Sequence, residues 1–153
     1  MAKLIQLDSF QANDGNLTVF EKIIPGNIKR VFYIYSAGDC SRGGHRHHKA
    51  WNALICIQGS CRVYCHNGVR EEEFWLNQPN SCLVVVPEDW HIMDRFSEDA
   101  ILLVLSNEFY SVQDYIDAPY PGMSALAGPD WWPGTGEDTL SLPVPLAFRA
   151  VGA

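Results

Sequence analysis

Short runs of apolar residues recur along the first two thirds of the chain, and most are separated from the next by a turn signal. In chain order the runs read LTVFE, KRVFYIY, ALICI, CRVYC, EEFWL, CLVVV and AILLVL. Val, Ile, Tyr and Phe are prominent in them, and these side chains favour the half-buried face of a pleated sheet. Many short strands at near-regular spacing are typical of an antiparallel sandwich or barrel, so the pattern predicts an all-β fold.

The clearest turn signal is His66-Asn67-Gly68, which separates CRVYC from the run that ends in EEFWL. Asn-Gly pairs supply the positive φ angles of a type I′ turn, which joins two antiparallel strands. We therefore predict a tight hairpin with its turn at Asn67 and Gly68.

The pattern changes after Leu105, and from Pro119 onward the chain is rich in proline and glycine. Such a composition argues against regular structure. We predict a β-domain over residues 1–118 and a short irregular or helical extension over residues 119–153. Large aromatic residues usually serve packing, so Trp131 and Trp132 are expected to anchor the extension on the domain or on a partner chain.

Composition narrows the class of protein further. The 18 acidic and 11 basic residues give a net charge of -7, and an acidic surface repels phosphate backbones, so nucleic acid is not an expected partner. No apolar run approaches the roughly 20 residues that span a bilayer, so we expect a cytoplasmic protein without a membrane segment. The five cysteines lie mostly within apolar runs and are expected to be reduced core residues.

The segment SRGGHRHHKAWNALICIQGS, residues 41–60, concentrates the candidate chemistry. In an extended strand, alternation places His45 and His47 on one face and Arg46 and His48 on the other. Imidazole has an unperturbed pKa close to neutral pH and is the commonest acid–base side chain. The pair His45 and His47 is therefore predicted to transfer protons, while His48 and His66 are expected to face solvent.

The spacing from His45 and His47 to Asn52 and Gly59 resembles the first motif of the cupins, and PEDWH, ending at His91, resembles a shortened second motif. This resemblance implies a jelly-roll β-barrel. Cupins that bind metal have a glutamate where this chain has Asn52, a neutral amide, so we expect no metal and no other cofactor. Asn52 and His91 are predicted to contact substrate, although His91 could instead be a buried, hydrogen-bonded residue.

Longer stretches resemble one branch of the cupins, the sugar 3,4-ketoisomerases of the WxcM-like or QdtA/FdtA family, which share an RmlC-like fold. The resemblance is carried by residues 28–35, 42–49, 54–63, 67–68, 86–97, 102–106 and 114–116. It implies a metal-independent isomerisation of a nucleotide-linked, TDP-type 4-keto-6-deoxyhexose through an enediol, by a homodimer that often exchanges N-terminal strands. The segment LIQLDSF could serve that exchange or be an edge strand.

The resemblance also assigns roles to residues of the site. The catalytic histidines are His45 and His47, and Arg42 and Tyr35 belong to the wall of the active site. An enediolate oxygen needs a donor, which Arg42, Arg30 or Tyr33 could supply if the strand register turns it inward. Guanidinium groups suit a diphosphate, so Arg30 and Arg42 are also candidates for binding it, together with Lys49.

Three other functions stay open at this point. One is a metal-dependent cupin oxygenase or isomerase, since three histidines can hold zinc or iron even without a glutamate at position 52. A sugar-nucleotide 3,5-epimerase usually pairs one histidine base with a tyrosine acid, and the doubled His45 and His47 argue against it. A non-catalytic carbohydrate-binding cupin would use the histidines only for hydrogen bonds to its ligand.

Overall fold

The computed structural model describes residues 1–124, and its regular structure is almost entirely strand. The strands are β1 (Lys3–Gln6), β2 (Asp8–Ala12), β3 (Gly15–Val19), β4 (Arg30–Tyr35), β5 (Arg42–His47), β6 (Asn52–Gln58), β7 (Cys61–His66), β8 (Glu71–Leu76), β9 (Ser81–Val85), β10 (Trp90–Asp94), β11 (Ile101–Ser106) and β12 (Tyr115–Ile116). Over these residues the one helical segment is a 3-10 turn at Val112–Asp114. The prediction of an all-β fold is confirmed.

The strands form two five-stranded antiparallel sheets. Sheet I has the order β1-β9-β6-β11-β4, and sheet II has the order β12-β5-β10-β7-β8. Strands β2 and β3 form a separate hairpin. Within residues 1–124 the hydrogen-bonded ladders do not join into one closed cylinder, so the fold is a jelly-roll sandwich and not a closed barrel.

The core lies between the two sheets. Leu54 and Leu102 of sheet I pack in one buried cluster with Val63 and Phe74 of sheet II. Successive side chains of a strand point to opposite faces, so residues two positions apart share the inner face. This burial of apolar surface is the main force that holds the sheets together.

One end of the inner face of sheet I is polar. Arg30 pairs with Ser106, and Ser106 pairs in turn with Asn52 on the next strand. All three keep the alternation of the core residues Ile34, Val104 and Leu54 and therefore face inward. The sandwich thus has an apolar core that gives way to a row of polar side chains at one end.

The hairpin at Asn67 and Gly68 is present, but its turn differs from the prediction. Strands β7 and β8 pair as far as His66 and Glu71, so the loop has more than two residues. Gly68 has a φ of 90°, whereas Asn67 does not have a positive φ. The Asn67 side-chain oxygen accepts hydrogen bonds from the amides of residues 69 and 70, which stabilises the longer loop.

Residues 117–124 pack on the outer face of sheet II. Trp90 Nε1 donates a hydrogen bond to the carbonyl of Asp117 at 3.1 Å, and Tyr120 Oη donates one to the carbonyl of Glu88 at 3.0 Å. Met123 is buried against the same face. The start of the predicted extension therefore lies on the domain, while residues 125–153, with Trp131 and Trp132, lie outside the described residues.

The N-terminal strand β1 pairs with β9 of its own chain, so the segment LIQLDSF begins as an edge strand here. Four cysteines are buried and Cys40 is exposed, all of them unpaired. His66 is buried, contrary to the prediction, because it pairs with Trp90 on β10 and lies beside Tyr120. Within residues 1–124 no helix has the length and apolar character needed to cross a membrane.

Candidate active site

The site begins with a close approach between β5 and β10. Gly43 has a φ of 90°, and a Cβ there would lie 2.7 Å from the carbonyl oxygen of His91. Glycine alone therefore allows the two strands to run this close. The pairing shifts register between His91 and Ile92, and His45 is brought opposite His91.

Three histidines meet at the polar end of the sandwich. The ring centroids of His45 and His47 are 5.0 Å apart, and His91 lies 5.1 Å from His45 and 6.1 Å from His47. Arg46 points to the other face of the strand, where its guanidinium lies 4.5 Å from the centre of the Tyr120 ring. The predicted alternation of this strand is confirmed, and His91 is both a member of the cluster and a buried residue.

Two of the three imidazoles have a hydrogen-bond partner outside the cluster. His47 Nδ1 lies 3.0 Å from Asp114 Oδ2, and His91 Nδ1 lies 3.0 Å from the carbonyl oxygen of Asp89. The backbone of Gly43 acts on His45 more weakly and raises its pKa against the larger effect of burial. A carbonyl can only accept, so His91 Nδ1 carries the proton, and an ionised carboxylate requires the same of His47.

Burial keeps these imidazoles neutral. Loss of hydration lowers the pKa of His45 well below its usual range, and the neighbouring His91 and His47 lower it further. Burial also lowers the pKa of His47 to about 4, with His91 adding to the effect and Asp114 opposing it. The pKa of His91 falls for the same reason, burial. At neutral pH the pocket therefore holds three uncharged bases.

Arg30 and Tyr115 close the pocket beside the histidines. The Tyr115 ring lies 4.7 Å from both His45 and His47, centroid to centroid. Arg30 Nη1 and Nη2 lie 3.4 and 3.5 Å from the Tyr115 hydroxyl and donate to it. Arg30 Nε and Asn52 Oδ1 are buried without a hydrogen-bond partner among residues 1–124. Buried polar atoms of this kind are available to a ligand.

The structure brings most of the predicted residues together. His45, His47, His91 and Arg30 meet in one pocket, and Asn52 lies in the polar row that contains Arg30. Arg42 is half-buried at the start of β5, and Lys49 is exposed beyond its end.

The prediction that Tyr33 and Tyr35 line the pocket is wrong for this chain. Their side chains are 60% and 62% exposed, because Arg30, Phe32 and Ile34 take the inner face of β4. Alternation then turns Tyr33 and Tyr35 to the outer face.

Sequence analysis missed two residues of the site, Asp114 and Tyr115. Both follow the 3-10 turn, and β12 pairs with β5 so that Tyr115 lies opposite His47. Their only signal in the sequence was their place in the last segment of the family resemblance. Nothing in the local pattern indicated that this segment returns to the histidines.

The histidine cluster has the donor atoms for a metal ion. One nitrogen from each of His45, His47 and His91 lies within 4.8 Å of the others, and neutral imidazoles suit zinc and other transition metals. Asn52 brings no negative charge to the ion. The residues could therefore hold a transition metal, and the expected absence of one stays a prediction.

In this jelly-roll sandwich, histidines of the neighbouring strands β5 and β10 face inward and meet in one cluster. This arrangement is typical of the cupin class. The chain belongs to the WxcM-like, C-terminal family, whose FdtA sequence model matches residues 1–120.

Relatives of known activity support this placement. The curated TDP-4-oxo-6-deoxy-alpha-D-glucose-3,4-oxoisomerase of Aneurinibacillus thermoaerophilus is 39% identical over 117 residues, which cover 74% of this chain and 84% of the relative. The QdtA 3,4-ketoisomerase of Thermoanaerobacterium thermosaccharolyticum, solved as a histidine-to-asparagine mutant with TDP-4-keto-6-deoxyglucose, is 38% identical. It has a TM-score of 0.73, covering 76% of this chain and 87% of its own.

A more distant likeness concerns the fold alone. The dTDP-4-dehydrorhamnose 3,5-epimerase of Bacillus anthracis is 18% identical and has a TM-score of 0.66, with 80% of this chain and 86% of that one covered. The predicted RmlC-like jelly roll is confirmed by these structural neighbours.

Proposed function

We propose that this chain is a sugar-nucleotide 3,4-ketoisomerase that acts on a TDP-linked 4-keto-6-deoxyhexose without a metal. The observation that carries the proposal is the pair of neutral imidazoles, His45 and His47, whose rings lie 5.0 Å apart in one buried pocket. Two bases in one place suit a reaction that moves two protons. The relatives that carry this activity in their names are 38% and 39% identical to the chain.

The reaction needs only proton transfers. A base removes the C3 hydrogen, which the C4 ketone acidifies, and the electron pair forms the C3–C4 double bond of an enediolate. Protonation of C4 and removal of the O3 proton then give the C3 ketone, while O4 gains a proton. One imidazole carries the carbon proton and the other carries the hydroxyl proton. No oxidant or reductant is required.

Arg30 and Tyr115 are placed to stabilise the enediolate oxygen. The Tyr115 ring contacts both imidazoles, and its hydroxyl is held by the Arg30 guanidinium. A preorganised donor in a pocket of low polarity stabilises developing negative charge more than water does. In this role Tyr115 takes the place that sequence analysis gave to Tyr33.

The polar row and β5 supply candidates for substrate binding. Asn52 and His91 are buried at the polar end of the sandwich, where they can contact the sugar. The backbone of Arg42 belongs to the β5–β10 pairing, but its side chain makes no hydrogen bond or ion pair with another of residues 1–124. Its guanidinium is therefore available to bind the diphosphate.

The test is the position of the carbonyl in the product. Purified protein is incubated with TDP-4-keto-6-deoxyglucose in deuterated water, and the products are read by NMR. The proposal predicts a product with a C3 ketone and deuterium at C4, with deuterium at C3 only in substrate that returns from the enediol. Deuterium at C3 and C5 with the ketone still at C4 would indicate a 3,5-epimerase. Binding without any exchange would indicate a non-catalytic carbohydrate-binding protein.

We also infer that the chain forms a homodimer. Val31, Tyr33 and Tyr35 expose 56%, 60% and 62% of their surfaces on one face of β4, the last strand of sheet I in the described chain. An edge strand with exposed apolar side chains favours association. The hairpin of β2 and β3 adds Phe10 and Leu17, both more than half exposed.

Light scattering on the purified protein tests the dimer. The native chain is expected to have twice its monomer mass, and the double variant Tyr33→Ser, Tyr35→Ser is expected to shift toward the monomer. Val69→Ser changes an exposed apolar residue of the β7–β8 loop and serves as the control. A monomeric native protein would contradict the inference.

A cytoplasmic location is inferred from the cysteines. All five are unpaired, as expected in a reducing compartment.

A further inference from the structure

Asp114 occupies a position that the family resemblance and the proposed reaction leave without a role. The 3-10 turn at Val112–Asp114 brings it back to β5, 67 residues from His47 in sequence. Its Oδ2 atom lies 3.0 Å from His47 Nδ1, and its side chain is only 11% exposed. The contact is therefore largely shielded from water.

The carboxylate of Asp114 is fixed from several sides. Oδ1 accepts a hydrogen bond from the amide of Lys49 at 2.9 Å, and Oδ2 accepts one from the amide of Ala50 at 3.3 Å. Its own carbonyl accepts from the amide of His48 at 2.9 Å. The loop after β5 thus holds the carboxylate in place, and the carboxylate in turn orients the ring of His47.

Orientation of the ring also selects its tautomer. An ionised carboxylate only accepts, so the proton of neutral His47 stays on Nδ1 and the lone pair stays on Nε2. The tautomer of His91 is determined in the same way, because its Nδ1 donates to the carbonyl of Asp89. Two of the three histidines therefore have their proton on Nδ1 and their lone pair on Nε2.

Asp114 differs from the partners of the other two histidines in its charge. The group that favours protonation of His45 is the neutral backbone of Gly43, and His91 bonds to the neutral carbonyl of Asp89. Among residues 1–124, His47 is the member of the cluster whose ring is hydrogen-bonded to a carboxylate. A carboxylate stabilises the imidazolium that forms when a base takes up a proton, more than a neutral carbonyl does.

We infer that Asp114 is a positioning residue for the isomerisation, acting through His47. It holds Nε2 of His47 ready to accept a proton and offsets the charge that results. The inference rests on the proposed function for its kinetic consequence, whereas the tautomer of His47 is a property of the free protein.

The first variant is Asp114→Asn, which keeps the size of the side chain and an oxygen for the Lys49 amide. Its amide group would donate to His47 Nδ1 and move the ring proton to Nε2. We expect kcat to fall about 10²–10⁴-fold with KM changed less than about threefold. Asp117→Asn, three residues further and exposed, is the matched control and should retain native kcat.

The second readout is the tautomer itself, from two-dimensional NMR of protein with ¹⁵N-labelled histidine and no substrate. Native His47 should carry its proton on Nδ1, and Asp114→Asn should carry it on Nε2. An unchanged tautomer, or a kcat within twofold of native, would overturn the inference. Because substrate is absent, the tautomer is decided even if the native protein does not isomerise the sugar.

The variant Asp114→Glu distinguishes loss of the negative charge from a disturbance of the surrounding structure. It keeps the negative charge but lengthens the side chain, so it disturbs the loop at Lys49 and Ala50 at least as much as asparagine does. We expect it to retain the Nδ1 proton of His47 and to be at least tenfold more active than Asp114→Asn. Equal loss of activity in the two variants would assign Asp114 to the fold alone and contradict the inference.

Discussion

At the scale of single residues, the pocket depends on imidazoles that stay neutral at a pH where free histidines would be partly charged. His45 and His47 lie on one face of β5, and their pKa values are lowered mainly by burial. Because both rings carry a lone pair at neutral pH, each can act as a base without first losing a proton to solvent. The neighbouring His48 differs from them because its side chain is exposed to solvent.

Replacement of either catalytic histidine tests this reading. His45→Asn and His47→Asn should each lower kcat by about 10³-fold or more while circular dichroism stays native, since each removes one of two required bases. His48→Asn alters the exposed neighbour and should keep native kcat. Retained activity in His45→Asn or His47→Asn, measured by NMR of the product, would refute the assignment.

The lowered pKa values also predict acid sensitivity of the fold. The pKa of His47 is about 4 in the folded chain and about 6.5 in an unfolded one. Between these values the unfolded state binds more protons, so stability is lost as pH falls. His91 and Arg30 disfavour the charged form of His47, and Asp114 favours it. The ring of His45 also lies beside it.

Urea unfolding at pH 7.5 and pH 5 measures this effect. We expect a loss of up to about 1.4 kcal/mol per pH unit from each buried histidine that stays neutral in the folded state. Equal free energies of unfolding at the two pH values would show that the folded histidines take up protons as readily as unfolded ones, which contradicts their lowered pKa values.

At the scale of the elements, two strands that lie far from each other in sequence, β4 and β12, both contribute side chains to the site around β5. β12 places Tyr115 against His45 and His47, and β4 places Arg30 against the Tyr115 hydroxyl. The interaction therefore joins an end strand of sheet II to the edge of sheet I. The pocket exists only when both strands are in register.

Removal of the Tyr115 hydroxyl tests its role as a donor. Tyr115→Phe keeps the ring between the histidines but loses the group held by Arg30, and kcat should fall about 10²-fold. Tyr33→Phe removes an equivalent hydroxyl from the outer face of β4 and should leave kcat native. A native kcat for Tyr115→Phe would show that another group stabilises the enediolate.

Substitution of Gly43 tests whether the close approach of β5 to β10 matters for the stability of the fold. Gly43→Ala adds a Cβ 2.7 Å from the His91 carbonyl oxygen at a φ of 90°, so it combines backbone strain with overlap. Gly26→Ala has a positive φ of 76° but nothing within 4 Å, so it carries strain alone, of about 1–2 kcal/mol. Thermal unfolding should show a larger loss for Gly43→Ala, and equal losses would mean that the close approach is unimportant.

At the scale of the whole molecule, the parts that sequence analysis predicted were local. The apolar runs identified strands because alternation is read within a few residues, and the spacing of His45 and His47 placed both on one face. The side chains of Tyr33 and Tyr35 were predicted to point inward, which is wrong. Residues 31–35 of β4 are all apolar or aromatic, so the alternation of residue types did not distinguish the inner face from the outer one. Asp114 was missed because its contact with His47 spans 67 residues.

The jelly roll itself explains why the site lies where it does. Apolar residues fill the space between the sheets, and the sequence becomes polar at one end, with Asn52, Ser106 and Arg30 on sheet I facing the histidines of sheet II. The fold supplies a largely buried pocket, and the side chains at its polar end supply the bases and the donors. The 18% identical epimerase has the same fold, and a fold alone does not decide a reaction, because the chemistry depends on the side chains of the site.

The position of the product carbonyl is the most direct test of whether this chain is a 3,4-ketoisomerase. Carbon-13 NMR of TDP-4-keto-6-deoxyglucose incubated with the native protein, treated with a chelator, should show the C4 ketone replaced by a C3 ketone at a rate proportional to enzyme concentration. The same incubation with His45→Asn should show no conversion. A carbonyl that stays at C4 with native protein, or one that moves only when metal is restored, would contradict the account.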